Sequence, residues 1–112
     1  KAIWIYASLG GEDYDFSGSN DCEEIAWIKT NSESVIHDVG TKNPNKYELF
    51  DMTGNVSEFC QDKLSDTSTN RIYKGGDYSQ EAMWCGTTSS AGNCDTYSGS
   101  LYIGFRPIRI VQ

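Results

Sequence analysis

Between Lys46 and Asp62 a turn glycine, Gly54, is set among carboxylates and aromatic residues in an order too regular for a generic loop. Tyr47, Phe50 and Phe59 alternate with Glu48, Asp51, Glu58 and Asp62, and Asn43-Pro44-Asn45 marks a turn just ahead of them. Such a run builds a fixed turn feeding a short apolar element. The rest of the chain reads the same way. Gly10 to Asn20 and Leu64 to Asn70 are rich in Gly, Asp, Ser or Thr and read as loops. Segment 1–9 is apolar and reads as a helix end or a strand, with Trp4, Tyr6 and Leu9 as core candidates. Cys22 to Thr30 reads as a short ordered segment of either type. Arg71-Ile72-Tyr73-Lys74 alternates like a strand and is stopped by Gly75-Gly76. Leu101 to Val111 carries the strongest strand signal, with Pro107 placing it at an edge or bulge. Loops outweigh regular elements, so the functional surface is expected on loops.

Three blocks, in order, resemble a known family. The segment Asp51-Met-Thr-Gly54-Asn55-Val56-Ser-Glu58-Phe-Cys60 resembles the "D-M-x-G-N-V-W-E-W" signature of formylglycine-generating enzymes, also called sulfatase-modifying factors. Arg71-Ile-Tyr-Lys-Gly75-Gly76-Asp-Tyr resembles that family's "R-V-x-R-G-G-S-W", and Ile103-Gly104-Phe105-Arg106 its closing "I-G-F-R". The resemblance implies an α+β, C-type-lectin-like fold, loop-rich with short antiparallel strands. It also implies that residues 1–112 form one domain matching the C-terminal part of the family's domain, since Ala2 to Gly11 is similar to a segment from its middle.

Composition bounds the function. The chain has 112 residues, 38% hydrophobic and 12% aromatic, which fits one folded domain rather than a disordered chain. A net charge of −7 argues against nucleic acid as a partner, because phosphate contacts need a basic face. The acidic stretch from Glu12 to Asp38 reads as a solvated face, with a cation or basic-ligand site as the alternative. No apolar run approaches the roughly 20 residues of a membrane span. An extracellular, cell-surface or virion-surface location is the expectation. If apolar surface is left open, self-association into a homo-oligomer follows.

The turn also carries a chemical expectation. Calcium takes six to eight hard oxygens, and a tight turn supplies carboxylates and main-chain carbonyls within a few residues. In the family the matching positions hold structural calcium, so the resemblance implies that Asp51 and Glu58, with the carbonyls of Gly54 and Val56, would hold Ca2+. The alternative is that Asp51 and Glu58 cap a helix starting near Asn55. Trp4, Trp27, Asn55 and Phe105 are expected to be structural.

The cysteines at 22, 60, 85 and 94 decide between binding and catalysis. Formylglycine-generating enzymes bind copper through two thiolates after the Gly-Gly block and oxidise a substrate cysteine. Counting from Gly75-Gly76, Gln80 stands at the first thiolate position and Cys85 at the second. Copper(I) prefers two soft sulfurs, so an oxidase relying on Cys85 would need a sulfur from elsewhere, with Cys94 the nearest in sequence. Four cysteines allow three disulfide connectivities, and a Cys60–Cys85 contact is one expectation. The lone His37 closes off a multi-histidine iron site and a zinc finger.

From Gly76 to Gly104 the chain is rich in Tyr, Ser, Gly and Asn, the residues of adaptable binding surfaces. The expected function is a non-catalytic module for a protein or glycan ligand, with contacts from Asp77, Tyr78, Trp84, Asp95, Tyr97 and Tyr102. An ordinary Ser/Gly-rich loop is the bland reading. From Cys85 through Arg106 there is no Lys, Glu, Gln, Met or Trp. That is the set excluded when asparagine codons are mutated at adenines, as in the variable receptor proteins of diversity-generating retroelements, a branch of the same fold class.

Overall fold

Helix α1, Ala2–Leu9, resolves the ambiguity of the first segment. It ends where Gly10 enters the left-handed region at φ 61° and donates its N–H to the Tyr6 carbonyl. Trp4 and Ser8, one turn apart, face inward and are buried. Tyr6 lies two residues along from Trp4, on the far side of the helix, and is 67% exposed, so it is not the core residue expected. The computed structural model describes the whole chain apart from residues 96–98, 110 and 112.

A second, four-residue helix, α2 (Cys22–Ile25), begins at Asp21, whose side chain accepts a hydrogen bond from the Glu23 N–H. Strands β1 (Ser57–Lys63), β2 (Asn70–Lys74), β3 (Gly92–Asp95) and β4 (Ile103–Gly104) form one sheet in the order β3-β2-β1-β4. The β1/β2 and β2/β3 pairs are antiparallel, while β4 joins β1 in parallel, through Ser57 with Ile103 and Glu58 with Gly104. The sheet is therefore mixed, a detail the expectation of antiparallel strands missed.

Two further expectations are corrected. Strand geometry from Ser57 onward excludes the helix starting near Asn55, so Asp51 and Glu58 are not its caps. Among the described residues of the C-terminal run, which leave out 110, only two are strand; past Gly104 none of them pairs with a strand, and Pro107 has no N–H to offer.

Among the described residues the apolar interior comes in two clusters. One joins Cys22, Ile25, Ala26, Ile28 and Cys85, with Phe16 and Ala82 against it; the other joins Trp4, Met52 and Cys60, with Ile5, Ala7 and Leu49. Cys60 and Cys85 therefore lie in separate clusters, and the expected contact between them is absent. Buried hydroxyls complete the interior, as where Ser8 Oγ and Thr87 Oγ1 sit 2.8 Å apart.

Asn55 is structural, as expected: its side chain accepts from the His37 N–H and donates to the His37 carbonyl, both at 3.0 Å. Trp27 stacks on the His37 ring at 3.6 Å. Phe105 departs from expectation. It is 80% exposed, because β4 ends one residue earlier and nothing carries its ring back onto the sheet.

Candidate functional site

The two glycines that stop β2 open one of the cavities. Gly75 and Gly76 adopt φ 103° and 70°, backbone that side chains rarely tolerate, and a Cβ on Gly76 would meet the Cys85 sulfur at 2.3 Å. The turn they make sends Asp77 to Gln80 away from the sheet, and the chain returns through the short 3-10 turn Ala82–Trp84. Between these segments and the ends of β3 and β4 lies a cavity of about 370 Å³. Tyr73, Lys74, Asp77, Trp84 and Tyr102 line it, together with the serines at 57, 79, 89, 90 and 100.

Of the residues expected to touch a ligand, Asp77, Trp84 and Tyr102 are brought together here. Tyr78 does not line the cavity but stacks on Tyr102 at 5.5 Å, supporting it from behind. Asp95 sits at the end of edge strand β3 opposite Asn70, away from the cavity. Tyr97 lies outside the described residues.

Asp77 is buried, and its Oδ1 accepts from both the N–H and the hydroxyl of Ser79, so the carboxylate is held in place. Trp84 is 57% exposed, an apolar face in water. Sequence reasoning missed Lys74. Its Nζ donates to the Ser89 carbonyl at 2.8 Å and stands 5.5 Å from the Trp4 ring, and burial pulls its pKa below the usual lysine value. Strand alternation in 71–74 was the only signal for it. It placed a strand and said nothing about which face would border a cavity.

Cys85 lies beneath this site and is fully buried. Burial, and then the nearby Asp77 charge, pushes its thiol up to about 12, so it is protonated at neutral pH. A thiol held protonated in this way is a poor nucleophile. Gln80, at the other thiolate position of the resemblance, lines the cavity.

The turn at 51–58 forms a second site. Asp51 adopts φ 58°; its Oδ2 accepts from the Gly40 N–H at 2.8 Å, while its Oδ1 is buried with no hydrogen-bond partner. A buried, unpartnered carboxylate oxygen is costly, and a hard cation relieves that cost. Gly54 is required here, since a Cβ would meet the Trp27 carbonyl at 2.4 Å. Glu58 behaves differently. Oε1 accepts from Trp4 Nε1 at 2.9 Å, and Arg106 grips both oxygens, with its terminal nitrogen 2.8 Å from Oε2. The donor set thus fits a cation at Asp51, whereas Glu58 is already neutralised by a guanidinium. Among the described residues no three His, Cys, Asp or Glu side chains converge as a metal cluster, so any cation here depends on main-chain oxygens.

These features match a known group. Residues 1–111 match the sulfatase-modifying factor enzyme 1-like domain, and the chain belongs to that family. Its fold is C-type-lectin-like, of the formylglycine-generating-enzyme type.

Among solved structures, it is similar to Treponema denticola variable protein 1, with 29% identity and a TM-score of 0.80 over 93% of this chain and 44% of that one. CarF, at 22% identity and a TM-score of 0.79, covers 96% of this chain and 45% of its own; PvdO from Pseudomonas aeruginosa, at 18% and 0.76, covers 93% and 48%. These last two speak to fold alone. A curated relative, the chaperone protein LppX of Paenibacillus barcinonensis, is 31% identical over 99 residues, 67% of this chain and 35% of that protein. The chain spans about a third to a half of the length of these relatives. No helix among the described residues is long and apolar enough to cross a membrane.

Proposed function

We propose that this domain is a non-catalytic binding module whose ligand, a protein or glycan, enters the cavity walled by Asp77, Trp84 and Tyr102. The observation that carries the reading is the cavity itself: aromatic faces and serine hydroxyls surround it, while its family cysteine is buried and protonated and Gln80 replaces the other. Rigid aromatic area with small polar contacts suits recognition. The test is binding of the purified domain to a glycan array and to a displayed peptide library. Trp84→Ala and Tyr102→Ala should abolish whatever binding is found, with stability changed by about 0.5 kcal/mol or less for the exposed Trp84. Binding indifferent to both substitutions would sink the proposal. Oxidation of a substrate cysteine by copper-loaded protein would do the same.

A narrower reading is a variable receptor protein of a diversity-generating retroelement. The missing Lys, Glu, Gln, Met and Trp from Cys85 to Arg106 support it, as does similarity to Treponema denticola variable protein 1. Alleles from sibling isolates should then differ mainly within 85–106, at adenines of the coding strand. Differences scattered evenly along the gene would rule it out.

The same scaffold would take calcium at Asp51, with main-chain oxygens from Gly54 and Val56; Glu58 serves Arg106 instead. Calcium at a hundredfold over its Kd should stabilise the wild type by about 2.7 kcal/mol and leave Asp51→Asn unmoved. A melting temperature indifferent to calcium in the wild type would remove the metal from the scheme.

A further inference from the structure

The four cysteines have no equal claim on one another. Cys22 opens α2 and Cys85 follows the 3-10 turn at 82–84, yet both belong to one buried cluster with Ile25, Ala26 and Ile28. They are 5% and 0% exposed. Each thiol is pushed up to about 12, chiefly by burial, and for Cys22 the next contribution is Cys85 itself. Cys60 packs in the other cluster, against Trp4 and Met52.

Cys94 lies on β3 and pairs with Arg71 of β2, whose partner on β1 is Lys63, three residues beyond Cys60. With β2 between them the two strands are roughly 9–10 Å apart, beyond the reach of about 7 Å between α-carbons that a disulfide allows. A Cys60–Cys94 bond is therefore excluded by the sheet order, and the separate clusters argue against Cys22–Cys60 and Cys60–Cys85.

We propose that Cys22 and Cys85 join in a disulfide when this chain folds in an oxidising compartment, leaving Cys60 and Cys94 as thiols. Two S–H bonds break and one S–S bond forms. The two electrons and two protons pass to a partner disulfide of the exchange class, such as glutathione disulfide, which becomes two thiols. Exchange requires a thiolate, and buried thiols this weakly acidic do not supply one, so the bond closes before α2 packs down. Its position gives it a role in the binding site. Trp84 and Gly86, on either side of Cys85, both line the cavity, so the bond ties the cavity wall to α2.

The experiment is refolding of the denatured, reduced chain with a glutathione and glutathione-disulfide mixture, followed by alkylation and non-reducing peptide mapping. The expected product is a Cys22–Cys85 peptide pair with Cys60 and Cys94 fully alkylated. Reductant should then lower the melting temperature of the wild type by several degrees and leave Cys22→Ala unchanged. Four alkylated cysteines in the native wild type would overturn the proposal, and so would a bond that includes Cys60 or Cys94. The peptide map decides the matter even if Cys22→Ala folds poorly.

Discussion

Glu58 shows how one side chain can hold several distant segments at once. It is 6% exposed and accepts from Trp4 and, through both oxygens, from Arg106, so it ties α1, β1 and the C-terminal segment together. Removing one partner of a largely buried ion pair leaves the other charge uncompensated, which is why the loss exceeds the worth of the pair. Glu58→Gln is expected to lose roughly 3 kcal/mol in urea denaturation, with the same loss in calcium and in chelator. A loss appearing only in calcium would assign the carboxylate to the metal. Gly76 is the opposite kind of commitment, defined by what it lacks. At φ 70°, with the Cys85 sulfur where a Cβ would go, Gly76→Ala combines backbone strain with a clash and should cost about 3 kcal/mol or more.

At the scale of elements, the two-residue strand β4 matters more than its length suggests. Its parallel pairing to β1 is extended by the Ser57 N–H donating to the Tyr102 carbonyl at 2.8 Å, which fixes Tyr102 at the cavity and against Tyr78. Proline at 103 would restrict the backbone of the residue before it, Tyr102, whose carbonyl makes this bond. Ile103→Pro should change the near-ultraviolet circular dichroism of the stacked tyrosines while the β1/β2 and β2/β3 pairs persist. An unchanged spectrum would mean that β4 does not position Tyr102. Helix α1 illustrates why the sequence left its type open. Eight residues are too few to show a period, and it is burial of Trp4 and Ser8 that selects the helix.

At the scale of the molecule, the described residues form two small clusters and a set of buried hydroxyls, so buried thiols weigh on stability. In the folded, reduced protein Cys22 and Cys85 hold their protons to about 12, whereas the unfolded chain releases them near 9.0. Between those values the folded state binds more protons, so stability falls as pH rises from about 9 toward 12. The loss should be visible in urea denaturation under reductant and be smaller in Cys22→Ala. Protein carrying the disulfide has no such protons to lose and should lack that part of the decline.

The sequence alone determined the family and the fold class, because the Asp51–Glu58, Gly75-Gly76 and Gly104–Arg106 blocks are local: turn glycines and their flanking residues dictate backbone within a few positions. It also determined that Gln80 stands where a thiolate would be needed. What it could not determine were encounters between distant segments. Strand pairing decided that β4 runs parallel to β1. Packing decided that Cys85 shares a buried cluster with Cys22 rather than Cys60, that Tyr6 and Phe105 face outward, and that Lys74 borders the cavity. The same holds for Glu58, whose partner Arg106 lies 48 residues along the chain. A carboxylate in a turn looks alike whether a cation or a distant guanidinium will neutralise it, and only the folded chain brings the guanidinium to it.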